Sequence, residues 1–153
     1  MDKVFDTIEK NRIILLKILN GTSREQLLKI PMGFNNNIWW NIAHVVVTEQ
    51  LLVYKLSGLP VNLDETLVTK FRKGTTPDGT TTDAEIEQIK TLLVSLPKQT
   101  KLDYEEGFFK TFNEYTTTPN VTLASVEDAL TFNLFHEGLH LGSILALKRA
   151  IAN

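Results

Sequence analysis

The chain has 153 residues, of which 42% are hydrophobic and 22% charged, a balance typical of a single globular domain and not of a disordered or membrane-spanning chain. Its 16 basic and 18 acidic residues give a net charge of −2, so no excess positive charge is available to neutralise a phosphate backbone, and nucleic acid is excluded as an expected ligand. The absence of cysteine excludes disulfides, thiolate zinc sites and a cysteine nucleophile.

The first predicted helix lies at the N-terminus, and Asn20-Gly21 supplies a left-handed stop at its end. Its acidic residues interrupt the apolar run, which is typical of neither a signal peptide nor a membrane span, so we expect a cytoplasmic protein without membrane contact. Ser23 and Gln26 then form a capping-box pattern that predicts a brief helical turn before Pro31. The apolar face of the first helix comprises Phe5, Ile8, Leu15, Leu16 and Leu19.

A second long helix is predicted from the Asn35–Asn37 cap signals to Ser57-Gly58. The following residues 59–82 contain two prolines and two glycines, which predicts a functional or crossover loop. Within this loop, the basic run Lys70–Lys73 is more typical of a solvated surface than of an anion-binding site, and both interpretations stay open. The predicted buried face of the second helix contains Trp40, His44, Val47, Leu51 and Tyr54.

A third helix is predicted to begin at the capping box of Thr82 and Glu85 and to end at Pro97. The polar and aromatic residues 98–121 lack helical periodicity, which predicts an extended segment or a small hairpin. The last helix is predicted from about Ser125 to Ala152, and its expected inner face contains Ala129, Phe132, His136, His140, Ser143 and Leu147. The sequence therefore predicts one all-α domain, residues 1–153, built as a four-helix bundle with long crossover connections.

The three histidines form the strongest functional signal. His136 and His140 are four residues apart, so on a helix they project from one face, and His44 lies on the predicted inner face of the second helix. A single buried histidine is more commonly a hydrogen-bonded core residue, but three facing one core indicate a shared metal. Since structural zinc sites close with four protein ligands, three histidines favour a catalytic site for one divalent transition-metal ion, zinc or nickel.

Glu137 lies inside the sequence His136-Glu137-Gly138-Leu139-His140, which matches the H-E-x-x-H pattern of zinc peptidases. In those enzymes a third ligand follows downstream, whereas residues 141–153 contain no His, Asp or Glu. We therefore favour a solvent-exposed carboxylate, or one that supports a ligand from behind, over a catalytic base. Glu137 stays a weak catalytic candidate.

Two segments carry a resemblance to the DinB-like superfamily of metal-dependent enzymes. These are Asn37-Ile38-Trp39-Trp40-Asn41-Ile42-Ala43-His44 and the run from His136 to Gly142, with Leu56-Ser57-Gly58 and Pro60 between them. The resemblance extends over residues 5–151. It implies a four-helix bundle, often dimeric, with a metal near one end of the core. Relatives include hydrolases and transferases that use low-molecular-weight thiols such as bacillithiol or mycothiol.

Three functions remain open at this stage. The first is a metalloenzyme in which a small-molecule thiol or a water molecule reacts at the open position of the metal, giving S-transfer or hydrolysis. The second is a non-catalytic, dimeric metal-binding or ligand-binding bundle. The third is a peptidase that works through Glu137. We expect a small-molecule substrate and a second copy of the chain as partners.

Overall fold

The computed structural model describes Met1–Ala152, and helices dominate this part of the chain. The predicted all-α fold is confirmed. No helix between Met1 and Ala152 combines the length and the apolar character needed to cross a lipid bilayer. The described elements are α1 (Asp2–Asn20), α2 (Arg24–Leu28), α3 (Ile38–Gln50), α4 (Glu65–Phe71), α5 (Asp83–Glu105), β1 (Tyr115–Thr116), β2 (Thr122–Leu123) and α6 (Val126–Ala152).

Helix α3 is the central element of the bundle. Every one of its residues except Thr48 is buried, because it packs mainly against α6, with α1, α2, α4 and α5 around it. Its mostly apolar sequence suits a helix that is enclosed on nearly all sides. A π-helical turn, Leu51–Lys55, continues α3, and Gly58 follows with φ +75°. Helix α1 completes the bundle by packing along α5 and α6.

The helix starts agree with the sequence patterns. Both capping boxes, at Ser23 with Gln26 and at Thr82 with Glu85, are present. The Asn37 side chain accepts the backbone N–H of Trp40 at 2.8 Å and begins α3. The predicted left-handed stop after α1 is wrong, since Gly21 has φ −95° and its N–H instead bonds the carbonyl of Lys17.

Two predicted boundaries are also wrong. Helix α5 continues through Pro97 to Glu105, because the added turns are held by tertiary contacts: Thr100 donates to Glu49 at 2.8 Å, and Asp103 accepts from Tyr54. The loop of residues 59–82 contains the short helix α4, which buries Leu67 and Phe71 against the core. Of residues 98–121, only those after Glu105 are non-helical, and the predicted hairpin is present where Tyr115 pairs with Leu123.

The buried face of α6 differs from the predicted one by a rotation about the helix axis. Ala129 and Leu147 are buried as expected, but Ser143 is exposed, and His136 and His140 are only partly buried. The buried line also includes Asn133, Glu137 and Ile144. The two histidines therefore lie at the edge of the core, where a small molecule can reach them.

Candidate metal centre

Three histidine side chains converge between α3 and α6. His44 comes from α3, and His136 and His140 come from successive turns of α6. One ring nitrogen from each lies within 4.8 Å of the other two, and the Nε2 atoms of His44 and His136 are 3.2 Å apart. Tetrahedral ligands about 2.1 Å from zinc lie about 3.4 Å from one another. The residues of this histidine cluster therefore fit one divalent ion.

Hydrogen bonds from outside the cluster fix two of the three rings. The Nδ1 of His44 lies 2.6 Å from the carbonyl oxygen of Phe71, and the Nδ1 of His140 lies 2.8 Å from Oδ1 of Asn41. Because both partners are acceptors, both Nδ1 atoms carry the proton and both Nε2 atoms are unprotonated. The Nε2 of His44 lies 3.2 Å from Oγ1 of Thr48 and 3.2 Å from Nε2 of His136. Metal-binding histidines usually have such an acceptor behind them. The anchors prepare the rings for a metal.

Asn41 is itself held in one orientation. Its amide nitrogen donates to Oδ1 of Asn36 at 3.0 Å and to the carbonyl of Asn37 at 2.8 Å, which leaves Oδ1 to accept from His140. Asn41 was not predicted as a site residue from the sequence. A polar residue on an otherwise apolar helix, three positions before a histidine, was the signal available for it.

The Trp40 ring packs flat against His44, with centroids 4.5 Å apart and an angle of 12° between the planes. Its indole nitrogen donates to the Thr75 hydroxyl at 3.1 Å, so the Trp40 ring is fixed by a hydrogen bond at its edge as well as by stacking on His44. His136 has no comparable anchor: among the described residues, its Nδ1 has no hydrogen-bond partner. The rigid part of the cluster is therefore the side formed by His44 and His140.

Burial keeps the imidazoles neutral. It lowers the pKa of His136 to about 3, with a further contribution from the two neighbouring histidines, and lowers the pKa of His140 to about 4. The pKa of His44 is also lowered by burial, although its bond to Phe71 opposes the shift. A histidine must be neutral to bind a metal ion. The histidine cluster is therefore competent for binding well below neutral pH.

Glu137 lies between the two α6 histidines in sequence but belongs to a different group of side chains. It is 1% exposed, and its carboxylate accepts from Arg12 at 2.8 Å, from Asn133 at 3.0 Å and from Asn11 at 3.2 Å. The prediction of a solvent-exposed Glu137 is therefore wrong. Its partners occupy the oxygens that a general base would need.

Arg12 joins a second carboxylate to the same group. Its guanidinium donates to Glu49 at 2.7 Å, and Thr100 donates to the other oxygen of Glu49 at 2.8 Å. Arg12, Glu49 and Glu137, here called the ion cluster, are each 1% exposed or less and link α1, α3 and α6. Burial raises the pKa of Glu49, although Arg12 opposes this. The pairing of these three residues was not predicted from the sequence.

The family model described as the DinB superfamily matches residues 7–144, a range that includes all three histidines and Arg12. The chain belongs to the DinB superfamily. The comparison with curated proteins gave no match. Membership in the DinB superfamily and the histidine cluster agree with each other, but neither assigns a reaction.

In this DinB-superfamily chain a cavity of about 440 Å³ opens beside His44 and His136. Glu137 does not line it. Of the basic run, Lys70 is ion-paired with Glu85 at 2.5 Å, whereas Lys73 lines the cavity and donates to Thr118 at 2.7 Å. The remaining lining residues are Thr48, Leu52, Tyr115, Thr117, Thr118, Pro119, Phe132, Phe135 and Leu139.

Proposed function

We propose that the protein is a metal-dependent enzyme acting on a small molecule, by transfer of a low-molecular-weight thiol or by hydrolysis. His44, His136 and His140 would hold one divalent transition-metal ion, zinc or nickel. The observation that carries the proposal is the pair of outer anchors, the Phe71 carbonyl and the Asn41 amide oxygen, which leave the Nε2 atoms of His44 and His140 unprotonated. Three neutral imidazoles whose ring nitrogens lie within 4.8 Å of one another form a donor set that suits a divalent ion.

A divalent ion bound by three neutral imidazoles supplies Lewis-acid activation of a thiol or of a water molecule. The chain contributes the arrangement around it. Three protein ligands leave coordination free, as in catalytic and not structural sites, and the cavity beside His44 and His136 gives a substrate access to that position. Phe132 and Phe135 add an aromatic wall to the cavity beside that position.

The cavity favours the enzyme over a non-catalytic bundle. An ion that only stabilised the fold would be expected in a closed site, whereas about 440 Å³ lies next to this one and falls within the usual range for small-molecule sites. For Glu137 we propose a structural role within the ion cluster, and not the role of a general base. Because Arg12, Asn133 and Asn11 already bond its carboxylate, Glu137→Gln should retain any hydrolytic activity that is found, which a peptidase working through Glu137 would not.

The first test is metal analysis of protein purified without an affinity tag or chelator, comparing wild type with His136→Ala. We expect close to one equivalent of zinc or nickel in wild type and almost none in the variant, because two remaining ligands chelate far more weakly. Circular dichroism serves as the folding control for the variant. Wild type that takes up neither ion, even after incubation with both, would contradict the proposed site.

A second measurement separates the enzyme from a metal-stabilised bundle. Metal-loaded and metal-free protein are mixed with a low-molecular-weight thiol and an electrophile, and with chromogenic esters and amides for hydrolysis. Turnover is expected only in the metal-loaded form. Equal rates in the two forms would refute metal-dependent catalysis while leaving the metal analysis intact.

A further inference from the structure

The cavity beside the histidine cluster continues into a second one. The second cavity has a volume of about 270 Å³ and shares four lining residues with the first, so the two form a single groove. Its own additional walls are Leu51, Lys55 and Leu56. The four shared residues are Thr48, Leu52, Lys73 and Tyr115.

The groove follows one side of α3 and its π-helical turn. His44, Thr48, Leu52 and Lys55 all line it and recur at helical spacing. At about 1.5 Å per residue, the eleven-residue step from His44 to Lys55 corresponds to about 16 Å. The histidine cluster therefore lies towards one end of an elongated groove, and Lys55 lies towards the other.

The charge of the groove is opposite to that of the chain. The protein has a net charge of −2, yet the lining of both cavities includes two lysines, Lys73 and Lys55, and no carboxylate. Neither lysine has a carboxylate oxygen within 4.0 Å in the range Met1–Ala152, whereas the neighbouring Lys70 is paired with Glu85. The polar partner of Lys73 is the neutral Thr118 hydroxyl. Two uncompensated cations favour an anion.

The floor and walls of the groove are apolar. Leu52 forms part of its floor, and Phe132, Phe135 and Leu139 lie around the end nearest the histidines. Phe135 is 51% exposed and Leu139 is 54% exposed, so a ligand seated there removes apolar surface from water. Burial of such apolar surface favours binding. A purely hydrophilic anion would not use these walls.

We propose that the groove binds a small organic anion with an apolar body. Its anionic group contacts Lys73, its body lies on Leu52 and Phe132, and its far end reaches the histidine cluster. This inference rests on the proposed function only for that far end, because recognition of the charge and of the apolar body requires no metal. The chemistry selects a carboxylate, sulfonate or phosphate ester of a hydrophobic molecule.

Two fluorescent probes that differ in charge provide the test. One is 8-anilinonaphthalene-1-sulfonate, and the other is the uncharged N-phenyl-1-naphthylamine, which has the same aromatic skeleton without the sulfonate. Both are titrated into full-length metal-free protein, so a failure of metal binding cannot affect the result. Wild type is compared with Lys73→Met and with Lys29→Met, an exposed lysine that does not line the groove.

Lys73→Met should weaken binding of the sulfonate about fivefold and leave binding of the neutral probe unchanged, because one exposed charge contributes roughly this factor. Lys29→Met should alter neither, and added salt should weaken only the sulfonate. Thr48→Trp, which fills the shared part of the groove, should reduce binding of both probes. Equal sulfonate affinity in Lys73→Met and wild type, or unchanged binding of both probes in Thr48→Trp, would overturn the proposal.

Discussion

The histidine cluster and the ion cluster are two polar groups on neighbouring faces of α6, and they are completed in different ways. In the ion cluster Arg12 lies between the carboxylates of Glu49 and Glu137, so each buried carboxylate is paired with a positive charge. Further hydrogen bonds to these carboxylates come from Asn133, Asn11 and Thr100. In the histidine cluster the Nδ1 atoms of His44 and His140 are bonded to acceptors outside the cluster, and the Nε2 atoms of these two rings are unprotonated.

The difference separates an ion-paired group of the core from a group with the donor set of a metal site. Buried polar atoms normally find partners, since an unpaired buried group costs about 1–3 kcal/mol. In the ion cluster both carboxylates are paired and three helices are held together, although Nη1 of Arg12 and Oδ1 of Asn133 have no hydrogen-bond partner among the described residues. The histidine cluster instead concentrates acceptors about one point and places them beside a cavity. A cation stabilises acceptors that are gathered in this way. His136 and Glu137 are adjacent in the sequence, yet His136 belongs to the candidate metal site and Glu137 belongs to the ion cluster.

The largest predicted loss of stability comes from replacing Arg12. Arg12→Met leaves Glu49 and Glu137 buried without a counter-charge, and removal of one partner of a buried ion pair typically costs about 3–5 kcal/mol. Urea denaturation should show a loss of this size. The matched control is Lys10→Met, which removes the exposed pair with Asp6 and should have little effect. A fully stable Arg12→Met would show that the ion cluster does not need its cation.

Asn41→Ala tests the anchors of the histidine cluster. Without an acceptor for its Nδ1 proton, His140 loses its fixed tautomer and orientation, and metal affinity should fall about 10–100-fold. Competition against a chromophoric zinc chelator measures this. Asn11→Ala is the control, because Asn11 is an asparagine bonded to Glu137 and to none of the histidines. If both variants lose the same affinity, the two clusters are not separate.

The last prediction concerns pH. In the metal-free protein the pKa of His136 is about 3 and that of His140 about 4, whereas unfolded histidine titrates near 6.5. Between these values the unfolded chain binds protons that the folded chain does not, so stability is present above about pH 6.5 and is lost as pH falls towards 4. The limiting slope is about 1.4 kcal/mol per pH unit for each histidine.

Urea midpoints at several pH values measure this slope, and His136→Leu isolates the part that the histidine contributes. The variant should lose less stability than wild type between pH 7 and pH 5, since one of the depressed groups is gone. Identical pH profiles for the two proteins would mean that these histidines are not held neutral by the fold.

Local features of the fold could be predicted from the sequence because their causes are local. The capping boxes at Ser23 and Thr82 depend on residues three positions apart, and the chelating pair His136 and His140 depends on one helical turn. The end of α5 could not be predicted in this way. Pro97 removes one backbone donor, but contacts of Thr100 and Asp103 with distant helices carry the helix past it.

One sequence feature indicates the ion cluster, namely a charged residue on the apolar face of α1. Arg12 lies on the apolar face of α1, four residues after Ile8 and three before Leu15, and a charge at such a position needs a buried partner. Its partners, Glu49 and Glu137, lie 37 and 125 residues further along the chain, so the pairing depends on tertiary structure. The same holds for the groove, whose walls come from α3, α6 and the hairpin.

His44 and His136 are separated by 92 positions along the chain, yet their Nε2 atoms are 3.2 Å apart. An ion shared by them would act as a removable cross-link between α3 and α6. Because it would bind the folded chain far better than the unfolded one, each tenfold rise in free metal above its dissociation constant would add about 1.4 kcal/mol to stability. The supply of metal in the cell would then set how long each molecule survives proteolysis, as well as whether it is active.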